Sequence, residues 1–122
     1  MFDLNGDEAR LLLNVALMAT GQNRFQSAAK ILAVLERFRP KEESVAVAKT
    51  VLMISMQDFA LAVDFVDGVG LQKFPDSSML RAFRGMALVR MGRREDAEEC
   101  LLAVARSTDE AAANLAKGLL TS

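Results

Sequence analysis

The chain has 122 residues and a formal net charge of −1, which leaves room for one domain with a hydrophobic core and for little beyond it. The near-zero charge excludes a strong overall attraction to nucleic acid or to an anionic membrane. Histidine, tryptophan and tyrosine are absent, and histidine is the commonest general base and metal ligand. We therefore expect neither an enzyme nor a protein that holds a metal or another cofactor.

Hydrophobic residues make up 52% of the chain, and the mean hydropathy is +0.18. No apolar run approaches the roughly 18 residues that would span a bilayer. The first eight residues are mainly polar and acidic, so we expect no signal peptide. The single cysteine, Cys100, cannot form an internal disulfide, which is consistent with a reducing cytoplasm.

Apolar periodicity predicts seven helices and hence an all-α fold. Asn5 or Asp3 can cap the first helix. The glycines within 68–70 predict the end of a short fourth helix, and the motif Ser107-Thr-Asp-Glu110 indicates a capping box at the start of the last one. The predicted helices span about 6–19, 24–38, 40–56, 58–67, 77–91, 94–106 and 108–119.

One small residue recurs at a regular interval. Ala28, Ala62 and Ala97 are 34 and 35 residues apart, and each is followed by an apolar helical run. Pro40 and Pro75 lie at similar distances after the first two and mark boundaries. A helix–turn–helix unit with this period is typical of the tetratricopeptide repeat (TPR), in which a small residue lets two helices cross closely. We predict a single α-solenoid domain, 1–122, with repeats at 6–40, 41–75 and 76–107 and a capping helix at about 108–120.

Two of the predicted helices, 40–56 and 77–91, are apolar on more sides than a surface helix should be. Aligning Gly21, Gln57 and Gly92 as turn residues predicts which side chains line the concave face of the solenoid. All ten are apolar, so we expect a groove that binds an amphipathic helix, although such side chains are also typical of a core. The ten candidate partner-binding residues are Leu11, Val15, Met18, Val47, Val51, Ile54, Met79, Ala82, Met86 and Val89.

The remaining charged and reactive residues indicate no catalytic or ligand site. Cys100 lies in a helix without a histidine to activate it, so we interpret it as a structural thiol. The acidic run at 95–99 lacks the alternating oxygen ligands of a calcium loop. The neighbouring arginines indicate a salt-bridged surface and no nucleic-acid interface; they are Arg81, Arg84, Arg90, Arg93 and Arg94.

In its length, its repeats and its apolar groove, the chain resembles the small TPR-like chaperones of bacterial type III secretion, most of all the chaperone of the needle subunit. Residues 12–21, 28–35, 57–62 and 85–102 carry the resemblance. It implies a cytoplasmic bacterial protein whose groove holds the amphipathic helix of a secreted needle subunit and prevents premature polymerisation. It also implies a small helical co-chaperone, which we expect on the N-terminal unit.

Two other functions fit the same pattern. One is a general TPR adaptor that binds an extended peptide or a folded partner in a larger complex. The other is a structural module whose apolar patch is an interface between two copies of the chain. Both share the all-α repeat architecture with the chaperone, so the sequence alone leaves them open.

Overall fold

The computed structural model describes residues 4–121, and all regular secondary structure within them is helical. The all-α prediction is confirmed, and Asp3 lies outside the described residues. Seven helical segments result when α4, a π-helical turn and α5 are counted as one continuous helix. The elements are α1 (Gly6–Gly21), α2 (Phe25–Phe38), α3 (Glu43–Ser55), α4 (Phe59–Phe65), the π turn (Val66–Gly70), α5 (Leu71–Lys73), α6 (Ser78–Arg90), α7 (Arg94–Ala105) and α8 (Glu110–Leu120).

The helices form two compact units, of which the first ends at Gln57 and the second begins at Asp58. In the first unit, α1 packs on both α2 and α3, and α2 packs on α3. The boundary therefore falls inside the second predicted repeat, between α3 and α4. The core of the first unit consists of Leu4, Ala9, Ala16, Ala19, Ala28, Leu32, Leu35, Val45, Ala48 and Leu52.

In the second unit α6 is the central helix, because it packs on α4, on α7 and on α8. Its buried face shares one core cluster with α7 and α8. That cluster consists of Ala82, Leu101, Val104, Ala112 and Ala116. The predicted closing helix thus covers apolar surface of the two helices before it.

The helix starts show how local sequence sets the boundaries. Asn5 caps α1 as predicted: its side chain accepts the amide of Glu8, and the Glu8 carboxylate accepts the amide of Asn5. The last helix starts differently from the prediction. Asp109 is its N-cap and accepts the amide of Ala112, whereas Ser107, two residues earlier, accepts the amide of Asp109.

Three helices end in the same left-handed turn. Asn23, Gln57 and Gly92 have φ values of 62°, 63° and 77°, and their amides donate to the carbonyl three residues back at 3.1, 2.9 and 3.0 Å. This is the geometry of a Schellman helix end, in which a left-handed residue follows the last helical turn. The three residues are 34 and 35 apart, so the recurrence in the sequence is also a recurrence in backbone geometry.

The residue after each turn repeats the pattern as well. Arg24, Asp58 and Arg93 have φ between −96° and −90° and ψ of 66° or 67°. Each precedes a helix, and four residues further on lies one of the buried alanines Ala28, Ala62 and Ala97. The three turns are therefore superimposable at the level of backbone angles.

The prediction that the glycines within 68–70 end the fourth helix is wrong. The chain stays helical to Lys73 through the π turn, in which the amide of Leu71 donates to the carbonyl of Val66, five residues back. Gly70 is buried, and a Cβ there would lie 3.1 Å from Cδ1 of Leu80. The glycine thus allows α6 to approach closely while the wider turn still satisfies the backbone.

A matched pair of glycines tests the close crossing of α6 and α7. A Cβ on Gly85 would lie 2.5 Å from Cδ2 and 2.7 Å from Cγ of Leu101, whereas a Cβ on Gly118 in α8 would meet no atom within 4 Å. Leu101 is buried, so its side chain can make room only by disturbing the core around it. We expect Gly85→Ala to lower the free energy of unfolding by about 1–3 kcal/mol.

We expect the control Gly118→Ala to leave the free energy of unfolding unchanged or to raise it by up to about 1 kcal/mol, because alanine favours helix. Urea unfolding followed by circular dichroism measures both values. Equal effects of the two substitutions would contradict the close crossing at residue 85.

Candidate protein-binding surfaces

The most exposed apolar surface in the described structure lies on α1. Leu11, Val15 and Met18 are spaced to share one face of this helix, and their side chains are 65%, 42% and 63% exposed. The opposite side of α1 is buried against the first unit's core through small residues such as Ala16. This face is therefore an open apolar stripe.

The predicted stripe on α3 is less exposed. Val47, Val51 and Ile54 are all partly buried, and they too follow helical spacing. Lys49 on the same helix forms an ion pair with Glu36 of α2, with Nζ–Oε distances of 3.0 and 3.1 Å. The stripe keeps some apolar surface in contact with solvent.

The α6 part of the prediction needs a correction. Ala82 is fully buried and belongs to the core of the second unit, so it does not lie on an accessible face. The packing of α8 against α6 explains this burial. Met79 and Val89 are partly buried and pack against the same core, and Met86 is partly buried.

The alignment of α1 with α3 and α6 was also wrong, by two residues. The left-handed turn residue after α1 is Asn23, and α1 continues to Gly21, whereas the prediction places the turn at Gly21. With Asn23 aligned to Gln57 and Gly92, the α1 residues that match Val47, Val51 and Ile54 become Leu13, Leu17 and Thr20. Leu13 is partly buried, Leu17 is exposed and Thr20 is buried.

The sequence contained the signal for this register. Each alanine of the recurrence stands five residues after a turn residue in the second and third repeats, and the same spacing before Ala28 leads to Asn23. Asparagine tolerates the left-handed conformation better than most other residues. Glycine is the more usual residue at a helix end, so residue type alone favours Gly21 as the turn residue, whereas the spacing favours Asn23.

A charged cleft of about 450 Å³ lies in the second unit between the π turn, α6 and α7. Arg84 pairs with Asp67 at 2.7 Å, and this hydrogen bond raises the pKa of the arginine above its usual value. Arg93 pairs with Asp96 at 2.7 Å. The Cys100 thiol donates to the backbone carbonyl of Arg81 at 3.1 Å. Arg84 and Arg93 are therefore each paired with a carboxylate, and Arg81 and Glu99 also line the cleft.

Within residues 4–121, no cluster of three or more histidine, cysteine, aspartate or glutamate side chains is placed to hold a metal ion. No helix in the same range is both long and apolar enough to cross a membrane. No protein-family model, curated protein or solved structure matches the chain.

Methionine oxidation tests the order of exposure. Met18 and Met56 are 63% and 51% exposed, while Met79 and Met86 are partly buried. We expect hydrogen peroxide to oxidise the first two several-fold faster in dilute solution, because oxidation follows solvent access. Peptide mass spectrometry over a time course measures the four rates in one sample. Equal rates for all four would contradict the burial of the α6 methionines.

Proposed function

We propose that this chain is a TPR-like α-solenoid that acts as a cytoplasmic chaperone of bacterial type III secretion. In this proposal it binds the amphipathic helix of a needle subunit and prevents premature polymerisation. The observation that carries the proposal is the left-handed turn repeated at Asn23, Gln57 and Gly92, because its period is that of TPR helix pairs. Proteins built from such repeats present the first helix of each pair to another chain.

The pattern of small residues supports the repeat assignment. Seven residues before each turn residue stands a buried small or compact side chain, and five residues after it stands a buried alanine. These are the two places where the helices of a TPR pair approach one another. The two sets are Ala16, Thr50 and Gly85, and Ala28, Ala62 and Ala97.

The chemistry of the two proposed client-binding stripes, one on α3 and one on α6, favours an apolar client. Val47, Val51 and Ile54 offer no charge and no hydrogen-bonding side chain, and neither does Met86. An amphipathic helix covers such a face with apolar side chains at matching spacing, whereas a charged peptide would leave its charges unpaired. The client's apolar face, which would otherwise drive its own assembly, would be shielded while bound.

The proposal includes a second partner, a small helical co-chaperone that docks on the N-terminal unit. This partner follows from the resemblance to needle-subunit chaperones and not from a feature of one helix. A client complex would accordingly contain two or three small proteins. Isolation of the tagged chain from the bacterium that encodes it, with mass spectrometry and light scattering on the eluate, measures its composition. We expect a 1:1 or 1:1:1 assembly that contains a short, polymerising helical protein.

Single substitutions on the proposed face test the binding mode. We expect Val51→Asp, and separately Met86→Asp, to abolish capture of the client, because each would place a charge against its apolar helix. Leu102→Asp is the control, since Leu102 of α7 is 50% exposed and lies outside the proposed face. Co-purification of the client with each variant is the measurement.

Circular dichroism of the same variants separates a binding surface from a core. We expect the helical spectrum to remain at the native value in all three. If Val51→Asp and Met86→Asp both unfold, the residues belong to the core and the groove assignment fails. If both fold and still retain the client, the client binds elsewhere.

A further inference from the structure

The corrected register gives the open stripe on α1 a different meaning from the proposed client face. Counting back from the turn residues, Leu11 corresponds to Val45 in α3 and to Leu80 in α6. Val45 and Leu80 are 4% and 0% exposed, whereas Leu11 is 65% exposed. The same comparison aligns Met18, 63% exposed, with two residues that are buried. These two are Leu52 and Ala87.

The positions that match the α1 stripe are covered in the later repeats by the helix that precedes them. Val45 and Leu52 share a core with Leu32 and Leu35 of α2, and α2 packs on α3. Leu80 lies against Gly70 in the π turn. No described helix precedes α1, so its stripe is a helix-packing surface that no part of residues 4–121 covers.

Val15 distinguishes this stripe from its counterparts. The matching residues are Lys49 and Arg84, and each forms an ion pair with an acidic residue of the preceding helical segment, Lys49 with Glu36 and Arg84 with Asp67. At α1 the cation is replaced by an apolar side chain. The complement of this face therefore carries an apolar residue where α2 and the π turn carry carboxylates.

A second copy of α1 meets that requirement. In a two-fold symmetric pair of antiparallel helices, the residue near the centre of the stripe lies beside its own copy. Lys49 or Arg84 at such a centre would face a like charge, whereas Val15 faces an apolar one. Leu11 of each copy then lies against Met18 of the other, which matches large side chains across the pair.

The charges at the ends of α1 fit the antiparallel arrangement as well. Asp7 lies one turn before Leu11, on the same face, and Arg24 follows the C-terminal end of the helix. Antiparallel pairing brings Asp7 of one copy towards Arg24 of the other, whereas parallel pairing would set like charges side by side. Neither residue has an ion-pair partner among residues 4–121.

Other surfaces of the chain match the α1 stripe poorly. Among the other described helices, only the continuous helix from α4 to α5 exposes two large apolar side chains, Leu61 at 47% and Val69 at 42%, and they lie eight residues apart without a third between them. The exposed side of α8 carries Glu110, Asn114 and Lys117, so a head-to-tail stack of α8 on α1 would bury charges against the stripe. The α1 stripe itself is the best partner that this chain offers.

We propose that two copies of the chain associate through their α1 helices, packed antiparallel about Val15. The pairing goes beyond the proposed chaperone function, concerns the chain without its partners and uses a face other than the α3 and α6 stripes. In a 1:1:1 client complex, the co-chaperone proposed for the N-terminal unit would replace the second copy. Stable interfaces bury at least about 1,200 Å² in total, and one helix face on each copy buries less than that. The dimer is therefore weak and reversible. A homodimer that Val15 variants abolish and Val51→Asp leaves intact is this dimer and not a self-association of the client face.

A charge-complementation experiment tests the pairing. We expect the light-scattering mass of the full chain to rise from 13.3 kDa towards twice that value with increasing concentration. Val15→Lys and Val15→Glu should each stay monomeric at every concentration, because the substituted residue meets its own charge. An equimolar mixture of the two variants should dimerise again, since opposite charges then meet at the centre. Leu102→Lys is the control and should dimerise like the unchanged chain.

Each contrary outcome overturns the proposal. A chain that stays monomeric throughout the concentration range has no such interface, and a dimer that persists in Val15→Lys uses another surface. If the mixture stays monomeric while both variants keep a native circular dichroism spectrum, α1 does not lie against its own copy. A monomer that forms a 1:1 complex with a different helical protein, lost in Val15→Lys, would assign the stripe to that protein. Should the Val15 variants unfold, Leu11→Ser repeats the test without introducing a charge.

Discussion

The distance between α6 and α7 is the constraint on which the second unit depends. At Gly85 the two helices are so close that Leu101 occupies the space of a side chain, and a methyl group would overlap it. Such contact is possible only if the turn between the helices brings them together at a fixed angle. The left-handed residue Gly92 provides that turn, so a backbone angle and the absence of a side chain act together.

The first unit solves the same problem with different residues. Ala16 stands where the second unit has Gly85, and Asn23 supplies the left-handed angle that glycine supplies later. The buried polar side chains are also satisfied: among the described residues, no buried side-chain nitrogen or oxygen lacks a hydrogen-bond partner. Some of the charged side chains form local ion pairs, such as Arg84 with Asp67, and the most exposed apolar side chains lie on α1.

Much of the fold could be predicted because helices are specified by local sequence patterns. The all-α class and the capping of α1 by Asn5 follow from periodicity and from one hydrogen-bonding side chain. The π turn could not be predicted, since Gly70 is required by contact with Leu80 ten residues later. The burial of Ala82 likewise depends on α8, whose packing no local pattern specifies. The error at Ala82 thus arose where a distant segment decides what is exposed, whereas the error in the α1 register arose from a local choice between Gly21 and Asn23 as the turn residue.

The π turn also has a consequence for how this chain can change in length. A π turn accommodates one residue more than an α-helix of the same rise, so it marks a place where the helix holds a spare residue. Loss of one residue within Val66–Gly70 would leave a regular α-helix, whereas loss of one residue within a regular helix such as α6 would rotate all later side chains by about 100°. In a homologue that lacks this residue, Leu71 and the segment that follows it would continue from a regular α-helix.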